Sequence, residues 1–370
     1  MHIGIDSHAA EHSGEGNSTY IQNLILALVG LDGDHTLALL AADPYHPFYR
    51  SLPAGARCRI SSIGRHGGVA RTAWALPRAA RRERVDCLHV QYFAPPLYRR
   101  PVVVTVHDLG FLHVPDSFPS GLRFAMRVLV PWSVRRAARV ITDSEFSRND
   151  MVARYQVSPQ KIVVIRLSAP DRFRPMDVTE TSRILARYGL KPGFLFSLGR
   201  LNRRKNLARL LMAYRALRAD GIRDVPLVVA GKPDYGARDL RGPAGFEAFE
   251  GIHWVGLIPD DDLPAFYAGA RCFVYPSLFE GFGLPLLEAM ASECPVISSD
   301  RAALPELVGD AGLLVDPERV EAIAEAMRRV LTDASLRTEL REQGLRRSRQ
   351  FTWQETARRT LAVYRQATAR

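Results

Sequence analysis

Glu280 and Glu288 stand eight residues apart around a glycine loop in the run SLFEGFGLPLLEAMA, residues 277–291. Gly281 and Gly283 let the backbone approach a ligand closely and take positive φ where a turn needs it. Pro285 suits the first position of a helix. The apolar run CFVYP precedes the loop, so the loop joins a strand to a helix start, where free N–H groups and the positive end of the dipole favour an anion. Two carboxylates beside an anion site serve little purpose for phosphate alone, but carboxylates accept hydrogen bonds from sugar hydroxyls. A sugar joined to a phosphate matches both sets of groups.

A second run, GRLNRRKN at 199–206, follows the apolar segment FLFSL. Arg200 and Lys205 are expected at the carboxyl end of that strand, where open α/β sheets bind ligands. Two fixed cations there neutralise a diphosphate and stabilise it as it departs. Only four of the 50 basic residues are lysine (Lys161, Lys191, Lys205 and Lys232), and Lys205 falls inside this run. His107 and Asp108 end another apolar run, PVVVTVHDL, again at a predicted strand end. The loop SGEGNSTY at 13–20 carries Gly14 and Gly16 but has Thr19 where a dinucleotide fingerprint needs its third glycine, which argues against a dehydrogenase. The triplet Asp260–Asp262 opens the helical pattern LPAFYAGA and reads as a cap rather than a metal site. Ser144, in TDSEFSRNDM, reads as another cap. The four cysteines are scattered without a C-x-x-C pair, so neither a metal framework nor disulfides are expected.

The elements that must hold these residues alternate. Predicted strands in the first half are His2–Ile5, Thr36–Leu40, Cys87–Val90, Val102–Val106 and Val140–Thr142, with helices such as Ser18–Val29 and Gly121–Ala138 between them. The second half adds Phe194–Leu198, Leu227–Ala230, Ile252–Val255, Cys272–Tyr275 and Pro295–Ser298. Strands alternating with helices imply parallel, doubly wound α/β sheets. A length of 370 residues is enough for two domains. The polar stretch at 166–182 reads as a linker, which places the first domain at 1–172, the second at 173–350 and a terminal helix at 351–370. The closest approach to a membrane span, LILALVGLDGDHTLALLAA, is broken by Asp32, Asp34 and His35.

The runs GRLNRRKN, LVVAGKPDY, HWVGLIPDDDL, FVYPSLFEGFGLPLLEAMASECPVISSD, LPELVGDAGLLVDP and FTWQETARRTLAVYR together resemble glycosyltransferase family 4, and cover nearly all of residues 194–366. Within that family they are most similar to bacterial O-antigen mannosyltransferases. The resemblance implies the GT-B fold: two Rossmann-like domains facing a cleft, with a C-terminal helix crossing back toward the first. It implies a retaining enzyme whose Arg200 and Lys205 hold the donor diphosphate. Glu288 takes the ribose hydroxyls and Glu280 the transferred sugar. The backbone of Gly281, Phe282, Gly283 and Leu284 lines sugar and phosphate, and the turn at Leu257 and Ile258 meets the base. His107 is implied at the donor sugar, where it also helps organise the acceptor, and the Gly14–Gly16 loop with Asp108 on the acceptor side. No metal and no other cofactor is expected, since the cations and helix dipoles serve the diphosphate.

The implied donor is GDP-mannose, with UDP-glucose or UDP-N-acetylglucosamine as alternatives on the same fold, and the implied acceptor is a glycan or lipid-linked hydroxyl. The net charge of +11 leans toward the first half. Arg71–Arg100 and RFAMRVLVPWSVRRAAR interleave arginines with apolar residues. Such segments serve as solvated faces or rest on anionic lipid. The chain is accordingly expected in the cytoplasm, with peripheral contact at the inner membrane face left open. The rival from another class is a non-catalytic protein binding membrane or polyanions; no nucleic-acid partner is expected.

Overall fold

The computed structural model describes residues 1–12, 16–232 and 250–369. The chain divides into two compact units. One contains 1–109, 124–167 and the segment from Thr352 onward; the other contains 110–123 and 168–351.

The first unit is built on a seven-stranded parallel sheet. Its strands are β1 (His2–Asp6), β2 (Thr36–Ala41), β3 (Cys58–Ser62), β4 (Cys87–Gln91), β5 (Val102–Thr105), β6 (Arg139–Thr142) and β7 (Ile162–Val164). They lie in the order β3-β2-β1-β4-β5-β6-β7. The second unit carries β8 (Phe194–Leu198), β9 (Leu227–Ala230), β10 (Ile252–Gly256), β11 (Ala270–Tyr275), β12 (Val296–Ser299) and β13 (Leu313–Val315) in the order β10-β9-β8-β11-β12-β13. All pairings are parallel. Strands covered on both faces read as continuous apolar runs, and β5, β9 and β12 are buried along their whole length.

Three strands fall outside those expected from the sequence: β3, β7 and β13. All three are sheet edges among the described residues; β3 is the polar CRISS, and β7 and β13 are apolar for only three residues each, IVV and LLV. The segment expected as linker ends in a helix, Val178–Ala186, because Asp177 accepts bonds from the N–H groups of Thr179 and Glu180 at 2.8 and 3.3 Å. Leu167, Ala169 and Phe173 within it are buried.

In the first unit a polar chain runs through the core. Tyr20 and Thr105 meet at 3.0 Å, Thr105 and His89 Nε2 at 2.7 Å, and His89 Nδ1 and the Tyr364 hydroxyl at 2.6 Å. Burial, with the nearby His107, depresses the His89 pKa to about 3, so the ring is neutral and can donate from one nitrogen and accept at the other. This ties the helix Trp353–Thr368 to β4. Thr352 caps that helix through the Glu355 N–H at 3.2 Å.

In the second unit the loops leaving β8 and β9 touch. Gly199 N–H donates to Ala230, Leu201 N–H to Lys232, and Gly231 N–H to Gly256. Gly231 has φ +129, and a Cβ there would lie 1.8 Å from the Gly199 carbonyl oxygen. Gly231→Ala is therefore expected to lower unfolding stability by more than about 2 kcal/mol; urea denaturation checks this, and wild-type stability would count against the packing described.

Candidate active site

The order of the second sheet reverses between β8 and β11, and open α/β sheets form their ligand crevice at the carboxyl ends flanking such a reversal. Lys205 leaves the end of β8 and Glu280 the end of β11, and they meet: Nζ lies 2.7 Å from Oε1. Oε1 also accepts from the Tyr275 hydroxyl at 2.9 Å and the Ser277 hydroxyl at 2.6 Å, and Oε2 accepts from Arg204 at 2.9 Å. Lys205 Nζ touches the Tyr275 hydroxyl as well. Burial would push the Glu280 carboxyl up, but the charges of Arg204 and Lys205 outweigh it and hold the pKa at about 2. Glu280 is thus an anion with its lone pairs engaged, and the cluster of two cations and one carboxylate keeps a net positive charge.

Local backbone chemistry sets this geometry. Asn202 caps the turn Arg203–Lys205 by accepting from Lys205 N–H at 3.3 Å. Asn206 follows in the left-handed region (φ 57), and its amide donates to the Pro276 and Pro317 carbonyls at 3.0 and 2.6 Å. Leu278 N–H donates to the Arg204 carbonyl at 2.8 Å. The loops after β8 and β11 are therefore stapled together. Gly199 (φ +152) leaves the space that the Lys205 stem occupies, 3.1 Å from where a Cβ would stand.

Gly281, Phe282 and Gly283 are buried. Gly283 alone of the two glycines takes positive φ (+107), and a Cβ on it would meet Leu304 at 2.8 Å. Phe282 turns its ring edge-on to Phe351, so its side chain is structural. The helix starts at Leu284 and spans Leu284–Ala291, which puts Pro285 second rather than first. Glu288 is buried on that helix, and the Tyr267 hydroxyl donates to it at 3.1 Å. Burial raises its pKa to about 7 against the opposing effects of Tyr267 and Arg172.

Other expected residues fall less centrally. Arg200 is half-buried in the bend after β8, but Arg204, not singled out from the sequence, is the arginine on Glu280. Ile258 follows β10, two strands from β8 and roughly 10 Å away at the usual strand spacing; Leu257 beside it is exposed. Asp262 occupies the N-cap position of the helix Leu263–Gly269, yet its side chain makes no cap bond. It binds Arg187 and the Tyr188 hydroxyl instead, at 2.5 and 2.6 Å, which corrects the capping role.

In the first unit, three neighbouring strand ends supply a polar group each: Gln91 closes β4, His107 follows β5 and Asp143 follows β6. His107 Nδ1 lies 2.7 Å from Asp143, and Nε2 lies 3.0 Å from Gln91 Oε1. Burial disfavours the charged ring, but the Asp143 carboxylate outweighs it and raises the His107 pKa. Tyr20 and Tyr92 lie edge-on to the imidazole, with ring centroids 4.8 and 5.8 Å from its own. Among the described residues Gln91 Nε2 has no hydrogen-bond partner; turning that amide over would offer a neutral ring a donor, so amide orientation and ring charge are coupled. Asp143 sat in the quoted TDSEFSRNDM run, but nothing in spacing pairs it with His107. Ser144 caps its helix through Ser147 N–H at 3.1 Å. Asp108 is half-buried and its charge favours protonated His107. Gly16 opens the helix Gly16–Val29 in open space, and Gly14 lies outside the described residues.

Glu288 generates a pH prediction. Between about pH 4.5 and 7 the folded chain holds a proton that the unfolded chain has lost, so raising pH across that window disfavours folding. This group alone accounts for about 3 kcal/mol at most. Glu288→Gln is expected to flatten that part of the pH dependence of urea unfolding; an unchanged slope would contradict the buried, protonated carboxyl.

The model for group 1 glycosyl transferases matches residues 180–347, and that for glycosyltransferase family 4 matches 15–167. The chain is 34% identical over 298 residues to O-antigen chain mannosyltransferase B of Escherichia coli, covering 80% of this chain and 77% of the relative. Longer Escherichia coli relatives, described as serotype-specific mannosyltransferases, are spanned for only 31–32% of their length. Among solved structures, sucrose-phosphate synthase from Thermosynechococcus elongatus matches with a TM-score of 0.76 at 21% identity, over 99% of this chain and 98% of that one. HepE from Anabaena, in complex with UDP and glucose, matches at 0.73 and 17% identity over 98% of each chain. These two share the fold. With both halves matched by family models and a relative this similar covered over most of its length, the chain belongs to the family 4 glycosyltransferases and is an enzyme of GT-B fold.

Proposed function

We propose that this glycosyltransferase moves mannose from GDP-mannose to a hydroxyl of a glycan or lipid-linked acceptor, with retention of anomeric configuration. The observation that carries the sugar assignment is the 34% identity, over most of both chains, to an O-antigen chain mannosyltransferase. The Lys205–Glu280 cluster supports a sugar-diphosphate donor: Lys205, Arg204 and Arg200 bring positive charge to the switch-point crevice, where it stabilises a departing diphosphate. The Gly281–Leu284 backbone permits close approach, Glu288 accepts ribose hydroxyls, and Ile258 packs against the base. Ribose hydroxyls donating to Glu288 favour its ionised form. Glu280 faces the transferred sugar while holding both cations in place.

In the transfer, the bond from sugar C1 to the diphosphate oxygen breaks and a bond from C1 to the acceptor oxygen forms. The acceptor's proton passes to the leaving diphosphate. His107, held by Asp143, orients hydroxyls on the acceptor side. The charge on Lys205, Arg204 and Arg200 makes a divalent metal unnecessary for the diphosphate, and chelation with EDTA is expected to leave the rate unchanged.

GDP is expected to raise the melting temperature more than UDP or ADP, because a ligand that binds only the folded state stabilises it. Mass spectrometry of slow donor hydrolysis across nucleotide sugars then identifies the sugar without an acceptor. Preference for UDP-glucose or UDP-N-acetylglucosamine would replace the donor assignment but keep the site. Lys205→Ala and Glu288→Ala are each expected to cost about a hundredfold or more in turnover; near-native rates in both would end the site assignment.

A further inference from the structure

The helix Ser120–Arg136 is apolar on both sides. Met126, Val130 and Val134 point into the core, as the fold requires. On the opposite side Phe124 is 71% exposed, Val128 53%, Leu129 42% and Trp132 38%. Phe124, Val128 and Trp132 recur every fourth residue, so they form one stripe along the helix, with Leu129 beside it. Large apolar side chains gathered on an outward face mark an interaction surface rather than ordinary solvent exposure. Nothing in donor binding or in the polar chain of the first unit uses them.

Charge says what kind of surface they meet. The helix contains no aspartate or glutamate, while Arg127, Arg135 and Arg136 are all exposed on it. Arg135 and Arg136 donate to the carbonyls of Tyr155 and Tyr98 at 3.2 and 2.9 Å, which fixes them at the end of the helix. Lys161 joins them there, donating to the Arg135 carbonyl at 2.5 Å. Burial and the charges of Arg136 and Arg139 push the Lys161 pKa down, a sign of how closely the cations crowd. An apolar stripe bordered by cations matches an anionic lipid surface. Acyl chains take up Phe124, Val128 and Leu129, an interfacial depth suits Trp132, and headgroups face the arginines.

We propose that this face, from Phe124 to Arg136, docks the enzyme on the surface of an anionic bilayer. The inference stands on the surface alone and holds whichever sugar the enzyme carries.

The test uses the full chain with vesicles of phosphatidylcholine alone and of an equimolar phosphatidylcholine–phosphatidylglycerol mixture. Co-sedimentation is expected with the mixture, weakening with salt, and not with phosphatidylcholine alone. Phe124→Ser with Trp132→Ser is expected to reduce binding by about tenfold or more, with the melting temperature and its rise on adding nucleoside diphosphate unchanged. Should that double variant fold poorly, Arg127→Glu and quenching of tryptophan fluorescence by brominated acyl chains, lost in Trp132→Phe, read the same face. Binding that ignores lipid charge, survives these substitutions or is absent overturns the proposal. So does a dimer in solution that Phe124→Ser with Trp132→Ser turns into a monomer, since a second copy would then be the occupant.

Discussion

Lys205 and Glu280 are brought together by the switch in strand order between β8 and β11, and much of the second unit's loop chemistry exists to keep them there. Burying an ion pair is costly, and unless further hydrogen bonds satisfy both partners the desolvation penalty exceeds the attraction. Here Tyr275, Ser277 and Arg204 complete the carboxylate. Asn206 fastens the loop after β8 to that after β11, Gly199 makes room for the lysine stem, and Gly231 lets a third loop close against it. Each of these is a small geometric requirement. The result is a charge arrangement already oriented before any ligand arrives, which is how a site stabilises developing charge without reorganising.

The two glutamates show how far environment separates identical side chains. Both are buried. Glu280 has two cations and two hydroxyls at its oxygens and is held ionised far into the acid range, whereas Glu288 has a tyrosine hydroxyl, a distant arginine and an opposing aspartate, and its pKa rises to neutrality. Pairs whose surroundings push their titration apart take different tasks. One is a fixed anion that organises cations. The other is a carboxyl whose charge state answers to whatever hydroxyls approach it.

The first unit uses strand ends in a related way with different groups. Gln91, His107 and Asp143 come from consecutive strands of the sheet, and the aspartate sets the charge preference of the histidine. In the same unit, His89 is neutral because burial and the nearby His107 disfavour its charged form, and its two ring nitrogens meet hydroxyls. The same ring is thus a neutral structural link in one place and a group inclined toward protonation in the other. What distinguishes them is the presence of one carboxylate.

Much of this was legible in the sequence where one local rule dominated. Interior parallel strands are covered on both faces, so β5, β8, β9 and β11 announce themselves as apolar runs; the edge strands β3, polar in sequence, and β7 and β13, three residues long, did not. Glu280, Lys205 and the glycine loop could be found because their types and spacing suit a ligand. Arg204 could not be told from Arg200 or Arg203, since three arginines near one lysine look alike until the turn Arg203–Lys205 decides which of them points at Glu280. Tyr275, Asn206 and Asp143 were equally silent, because each acts on a partner that the fold, and not the chain order, places beside it. Asp262 had the right position for a cap and was drawn instead to Arg187 and Tyr188. The sequence by itself determined which chemical groups are available and which strands must be buried, for those depend on residue type and periodicity alone. Tertiary structure decided who pairs with whom, and therefore which carboxyl is charged, because a pKa belongs to a neighbourhood that only the folded chain assembles.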